Sequence, residues 1–175
     1  MTPRIVLVGL PGAGKSTSGR RLAKIMCVPF TDSDDLVEAA EGRTVSEIFA
    51  GQGEAAFRAA ECAAITACLD GEFDGVLSLG GGALTHPATR RAVSASGVPV
   101  AVLYAPLDTL LARVGDARSR PLLADDPPAR LRQLADERQP IYDAVATMRV
   151  DTDHRTPGQV AAHIAARLHS MGILT

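Results

Sequence analysis

The chain has no tryptophan and only six other aromatic residues, four Phe and two Tyr, among 175 residues. So few rings leave little on which to stack nucleic-acid bases. A basic field is missing as well: 18 Lys and Arg face 20 Asp and Glu, a formal net charge of −2. Both absences argue against nucleic acid as a partner. No apolar run approaches the roughly 20 residues of a membrane-spanning helix. The apolar start, Arg4-Ile5-Val6-Leu7-Val8-Gly9, is too short for a signal-peptide core. The expectation is a cytoplasmic chain with no membrane partner. Cysteine is scarce: Cys27, Cys62 and Cys68 are odd in number and form no CxxC pair, which predicts reduced thiols. The histidines at 86, 154, 163 and 169 have no ligand spacing, which argues against structural zinc. Lysine is nearly absent: Lys15 and Lys24 stand against 16 arginines. An arginine therefore says little here, whereas a lysine needs a reason.

What is present is an alternation. Short, continuously apolar segments at 4–8, 29–31, 76–79, 98–104 and 148–150 read as parallel strands covered on both faces. Helical patterns lie between them at 15–27, 34–41, 53–70, 87–96, 107–114, 127–145 and 157–170. Thr44-Val45-Ser46-Glu47 has capping-box spacing, which predicts a further short helix start. Pro87 and Pro157 suit first helical turns, and Pro140 should kink or interrupt its helix. The pattern predicts one α/β domain over 1–175 with a parallel sheet and two excursions, at 33–70 and 115–128.

Gly9-Leu10-Pro11-Gly12-Ala13-Gly14-Lys15-Ser16-Thr17 follows a strand and opens a helix. In that context G-x-x-x-x-G-K-[ST] is a phosphate loop. Its N–H groups and the helix N-terminus face phosphate oxygens. Lys15 supplies a compact charge to the β- and γ-phosphates and Ser16 a hydroxyl to Mg²⁺. The third strand carries no Asp, so the nearest acids are in Thr31-Asp32-Ser33-Asp34-Asp35. In extended chain Asp32 and Asp34 point the same way, one toward a metal and the other toward an acceptor hydroxyl. The alternative is a helix cap. Gly80-Gly81-Gly82 has one glycine more than a tight turn needs, which suggests close approach to a small ligand. Arg58 and Glu61 share a helix face and can pair. Arg118 and Arg120 lie in the second excursion, in a stretch that reads as a mobile loop.

With these motifs in order, and with Arg120-Pro121-Leu122-Leu123 and Arg138-Gln139-Pro140-Ile141-Tyr142, the whole chain resembles the shikimate kinase family. The resemblance implies a three-layer P-loop kinase fold. Its five-stranded parallel sheet would have the order 2-3-1-4-5, with helices on both faces and a mobile lid. It implies ATP-dependent, Mg²⁺-assisted phosphorylation of the 3-hydroxyl of shikimate. Gluconate kinase and nucleoside monophosphate kinases are same-class rivals, and a nucleotide-binding regulatory module is a rival of another class. The resemblance assigns 33–61 to substrate binding and 114–126 to the lid. It makes Asp34, Lys15 and Arg120 catalytic. It gives the nucleotide Gly12, Ala13, Gly14, Lys15, Ser16, Thr17, Arg113, Arg120, Arg155 and Pro157. Shikimate would meet Asp34, Arg58, Glu61, Gly80, Gly81, Gly82 and Arg138, and Mg²⁺ would be held by Ser16 and, through water, Asp32. Ser33 stands where the family commonly has Thr. Asp35 adds a carboxylate whose repulsion is expected to raise the pKa of Asp34. The chain is expected to act as a monomer.

Overall fold

The computed structural model describes residues 2–114 and 126–174. Five strands form one sheet in the order β2-β3-β1-β4-β5, all neighbours parallel. They are β1 (Ile5–Val8), β2 (Phe30–Asp32), β3 (Val76–Ser78), β4 (Val100–Tyr104) and β5 (Met148–Asp151). Every residue of β1 and β3, and all of β4 but Tyr104, is buried. That is the signature of strands covered by helices on both faces, and it explains why their sequences run apolar without alternation. Registers Asp32↔Ser78 and Leu7↔Ser78 align the carboxyl ends of β2, β3 and β1. Ligands in open α/β sheets bind outside such ends.

Seven helices are described: α1 (Lys15–Met26), α2 (Ser33–Glu41), α3 (Val45–Ala67), α4 (Pro87–Ala95), α5 (Leu107–Val114), α6 (Pro127–Val145) and α7 (Pro157–Ser170). α1 packs on α7 and lies so close to the sheet that a methyl on Gly19 would sit 2.9 Å from Leu7 Cδ1. The main core gathers around β1, β3 and β4. A second, smaller core of Val37, Ile48 and Phe57 belongs to α2 and α3 alone.

Three local expectations change. The capping box at Thr44 does start a helix, but that helix runs on into the predicted 53–70 segment. The join is Gly53, at φ 82° and ψ 172°, a conformation essentially reserved for glycine. The segment ends in a wider, π-type turn over Cys68–Glu72. Pro140 lies within α6 without ending it. The extended stretch ends at Asp32, and Ser33 already opens α2, so the period-two argument for Asp32 and Asp34 does not hold. Arg118, Arg120 and most of the predicted lid lie outside the described residues.

Candidate active site

The phosphate loop leads into α1 through Gly14, which is left-handed at φ 87° and offers no side-chain cap. By contrast α2, α3, α6 and α7 are capped by Asp32, Thr44, Asp126 and Thr156. The first N–H groups of α1 thus face the loop's concavity. Lys15 Nζ donates to the carbonyls of Gly9 (2.7 Å) and Leu10 (3.3 Å), folding back over the loop. Ser16 Oγ lies 3.5 Å from Asp32 Oδ2. Of the roles that the sequence left open, the helix cap is present: Asp32 Oδ1 accepts from the N–H of Asp34 (3.1 Å) and caps α2.

A cavity of about 370 Å³ opens from the loop. Besides Gly12–Ser18 it is lined by Arg113, Thr152, Arg155, Pro157 and Val160. The loop and the expected nucleotide residues Arg113, Arg155 and Pro157 therefore share one pocket. Arg113 is fixed from α5 by two hydrogen bonds to Thr152, to Oγ1 (2.9 Å) and to the carbonyl (2.6 Å). Beside it Thr109 Oγ1 donates to Asp153 Oδ1 (2.8 Å). Thr152 and Val160 escaped the sequence reading. Their position just after β5 and on the first turns of α7 was the available signal.

A second constellation stands across the loop. Arg58 and Glu61, read from sequence as a pair on one helix face, are both buried, at 8% and 1%. Arg58 Nη1 meets Glu61 Oε2 at 2.5 Å. Glu61 Oε1 accepts from Ser33 Oγ (2.8 Å), and Ser33 Oγ accepts from the N–H of Gly80 (2.8 Å). The hydroxyl of Ser33, where the family commonly has Thr, is thus the link between α2, α3 and the loop after β3. Burial pushes the Glu61 carboxyl up, and Arg58 opposes this. Removing one partner of such a pair strands a buried charge, at a cost of about 3–5 kcal/mol.

The three glycines after β3 make room for these side chains. A methyl on Gly80 would lie 2.6 Å from Glu61 Oε1 and 2.8 Å from Asp34 Oδ1, and one on Gly82 would overlap the Arg58 guanidinium. The glycine loop thus lies close against the chain's own charged groups. A methyl on Gly81 would stand 3.2 Å from Arg138 Nη1 and 3.6 Å from Pro11 Cδ. Gly81 therefore lies between the buried Arg138 of α6, 5% exposed, and the phosphate loop. The Arg138 Nε is buried with no hydrogen-bond partner among the described residues.

Asp34 sits in the first turn of α2 within this group. Its carboxyl is raised from 3.8 to about 6, first by burial, then by Asp32 and Glu61, against the pull of Arg58 and Lys15. The expected contribution of Asp35 is not among the causes. Asp35 is exposed. The structure thus brings together Asp34, Arg58, Glu61, Gly80–Gly82 and Arg138 beside the phosphate loop. A carboxylate with a pKa raised to about 6, near a buried guanidinium and the phosphate-loop lysine, with a second buried guanidinium on the same glycine loop, suits transfer of a phosphoryl group to an anionic alcohol.

Fold and site define a P-loop kinase of small molecules. The family model for shikimate kinase matches residues 11–169. A shikimate kinase of Mycobacterium avium is 48% identical over 96% of this chain and 94% of its own. The structure of a shikimate kinase from Acinetobacter baumannii in complex with shikimate matches with a TM-score of 0.90 at 35% identity, covering 98% of this chain and 95% of that one. A gluconokinase from Sinorhizobium meliloti shares only the fold, at 19% identity and a TM-score of 0.56. The chain belongs to the shikimate kinase family.

Proposed function

We propose that the protein transfers the γ-phosphoryl group of ATP to the 3-hydroxyl of shikimate. The observation that carries this reading is the acceptor cleft: Asp34, the buried Arg58–Glu61 pair and Arg138 converge on the glycine loop after β3. Arg58 and Arg138 hold the acceptor carboxylate. Glu61 has an oxygen engaged by each of Arg58 and Ser33, so it aims the arginine. The backbone of Gly80–Gly82 floors the ring. Residues 33–61 are the acceptor-binding segment.

Asp34 receives the proton of the attacking hydroxyl or aligns it. Near neutral pH its raised pKa leaves it both ionised and basic enough to do so. Lys15 and the N–H groups of Gly12–Thr17 cradle the triphosphate. Arg113, Arg155 and Pro157 enclose the base, with guanidinium planes taking the part that aromatic rings play elsewhere. The donor set suits Mg²⁺. Ser16 and Asp32 offer hard oxygens, and the buried Ser78 hydroxyl, opposite Asp32 in register, has no partner among the described residues. No group of three His, Cys, Asp or Glu able to hold a metal occurs among those residues. Mg²⁺ bound mainly by water and substrate phosphates needs none. When bound, it would neutralise charge on the β- and γ-phosphates.

The test is ADP release by the purified protein with ATP and Mg²⁺, with shikimate, gluconate or a nucleoside monophosphate as acceptor, and ³¹P NMR of the product. Release that depends on shikimate and yields a 3-phosphate is expected. Release that is acceptor-independent, or faster with another acceptor, overturns the reading.

A further inference from the structure

Tyr142 takes no part in the roles assigned above, yet it touches both halves of the acceptor cleft. It is one of only two tyrosines in the chain and is 2% exposed. It lies one helical turn after Arg138 on α6, on the same face. Its hydroxyl donates to the carbonyl of Gly81 at 2.5 Å, and the Arg138 guanidinium, whose Nη1 would stand 3.2 Å from a methyl on that same glycine, is near enough to favour its ionised form. A hydroxyl has one donor and two acceptor positions, so it can serve both partners at once. Burial pushes its pKa up to about 12, and the donated proton therefore stays in place across any working pH. The two groups it joins are the carboxylate-binding arginine and the glycine that abuts Pro11 of the phosphate loop.

We propose that Tyr142 is a positioning residue of the acceptor cleft, its hydroxyl tying the Gly81 carbonyl to the Arg138 guanidinium so that loop and arginine keep one spacing. The proposal rests on the shikimate reading. Arg138 has more donors than one contact can use, and its buried Nε is without a partner among the described residues. A guanidinium held along one edge presents the remaining donors in a fixed direction. Untied, it must be ordered by the acceptor itself, and that loss falls on binding rather than on the transfer step.

The experiment is steady-state kinetics and thermal melting of Tyr142→Phe, Arg138→Lys and the double variant. Tyr142→Phe keeps the ring and its packing. The KM for shikimate should rise about five- to tenfold, the order of one ordinary hydrogen bond. The kcat and the KM for ATP should stay within about twofold. Lysine cannot reproduce the planar fork. Adding Tyr142→Phe to Arg138→Lys should therefore raise KM by less than it does in the wild-type background. An unchanged KM in Tyr142→Phe, multiplicative effects in the double variant, or parallel losses in kcat, both KM values and melting temperature would each overturn the proposal. If the wild-type protein itself releases ADP without dependence on shikimate, the acceptor reading falls, and the inference with it. If the wild type depends on shikimate and Tyr142→Phe matches it, only the inference falls.

Discussion

Asp34 is held in a place that disfavours its charge, and this has consequences of two kinds. Its carboxyl titrates near 6 in the folded chain against 3.8 when free. Between these values the folded state keeps a proton that the unfolded state has released. Stability therefore falls as pH rises through that window and stays lower above it. Asp34→Asn should accordingly melt above the wild type at pH 8, by up to about 3 kcal/mol in stability, and the difference should vanish near pH 4. The same variant should lose about 10²–10⁴-fold in kcat. In the wild type kcat/KM for shikimate should climb through pH 6. A variant no more stable at pH 8 would show that the site tolerates the charge. A kcat loss under about tenfold would make Asp34 a helix-turn residue that aligns the hydroxyl. Lys15 gives a sharper residue-level test. Its ammonium bonds two carbonyls of its own loop, a geometry for a point charge. Lys15→Arg should nearly abolish turnover while leaving the melting temperature close to wild type. Retained turnover would refute the phosphate-loop assignment.

The element that aims the acceptor side chains is α3, and its direction changes at Gly53. The second half of the helix carries Arg58 and Glu61 onto the glycine loop, while the first half buries Ile48 beside Val37 and Phe57. Two glycines two residues apart should respond oppositely. Gly51 is in regular helix with open space around it, so Gly51→Ala should stabilise by about 0.5–1 kcal/mol. Gly53 also has open space, but its backbone is one that an L side chain rarely adopts. Gly53→Ala should destabilise by about 1–3 kcal/mol and raise the KM for shikimate. Melting curves and kinetics of the two variants decide this. Equal responses would mean that the break has no part in aiming Arg58. Neither the break nor the burial of the ion pair is legible locally. An i,i+3 Arg–Glu pair reads the same on an exposed face as on a buried one. Only the packing of α3 against residues 80–82, far away in sequence, distinguishes them.

Across the whole molecule, the strands and the phosphate loop are legible because their signals are local: continuous apolar runs, and glycines at fixed spacing before Lys15. Strand order is a property of pairings between distant segments, so it came through the resemblance and not from periodicity. The period-two argument for Asp34 fails because, although the strand read at 29–31 runs on to Asp32, Asp34 already lies in α2. The separate core of Val37, Ile48 and Phe57 gives α2 and α3 little apolar burial in common with the sheet. Their amides should therefore exchange hydrogen faster than those of β1, β3 and β4. Saturating shikimate at about 100 times its Kd should add about 2.7 kcal/mol to stability, with the slowing of exchange largest over 33–67. Uniform slowing across the chain would contradict a locally ordered acceptor unit.

The order of the strands also bears on how far the two proposed ligands can be changed independently. On the proposed reading donor contacts come from α1, α5 and the segment after β5, and acceptor contacts from α2, α3 and the segment after β3, with β1 between them. Arg138 and Tyr142 are the exception, because α6 joins β4 to β5 and still reaches the glycine loop. A new acceptor alcohol would therefore call for substitutions in α2, α3, the glycine loop and one face of α6, with the phosphate loop left as it is.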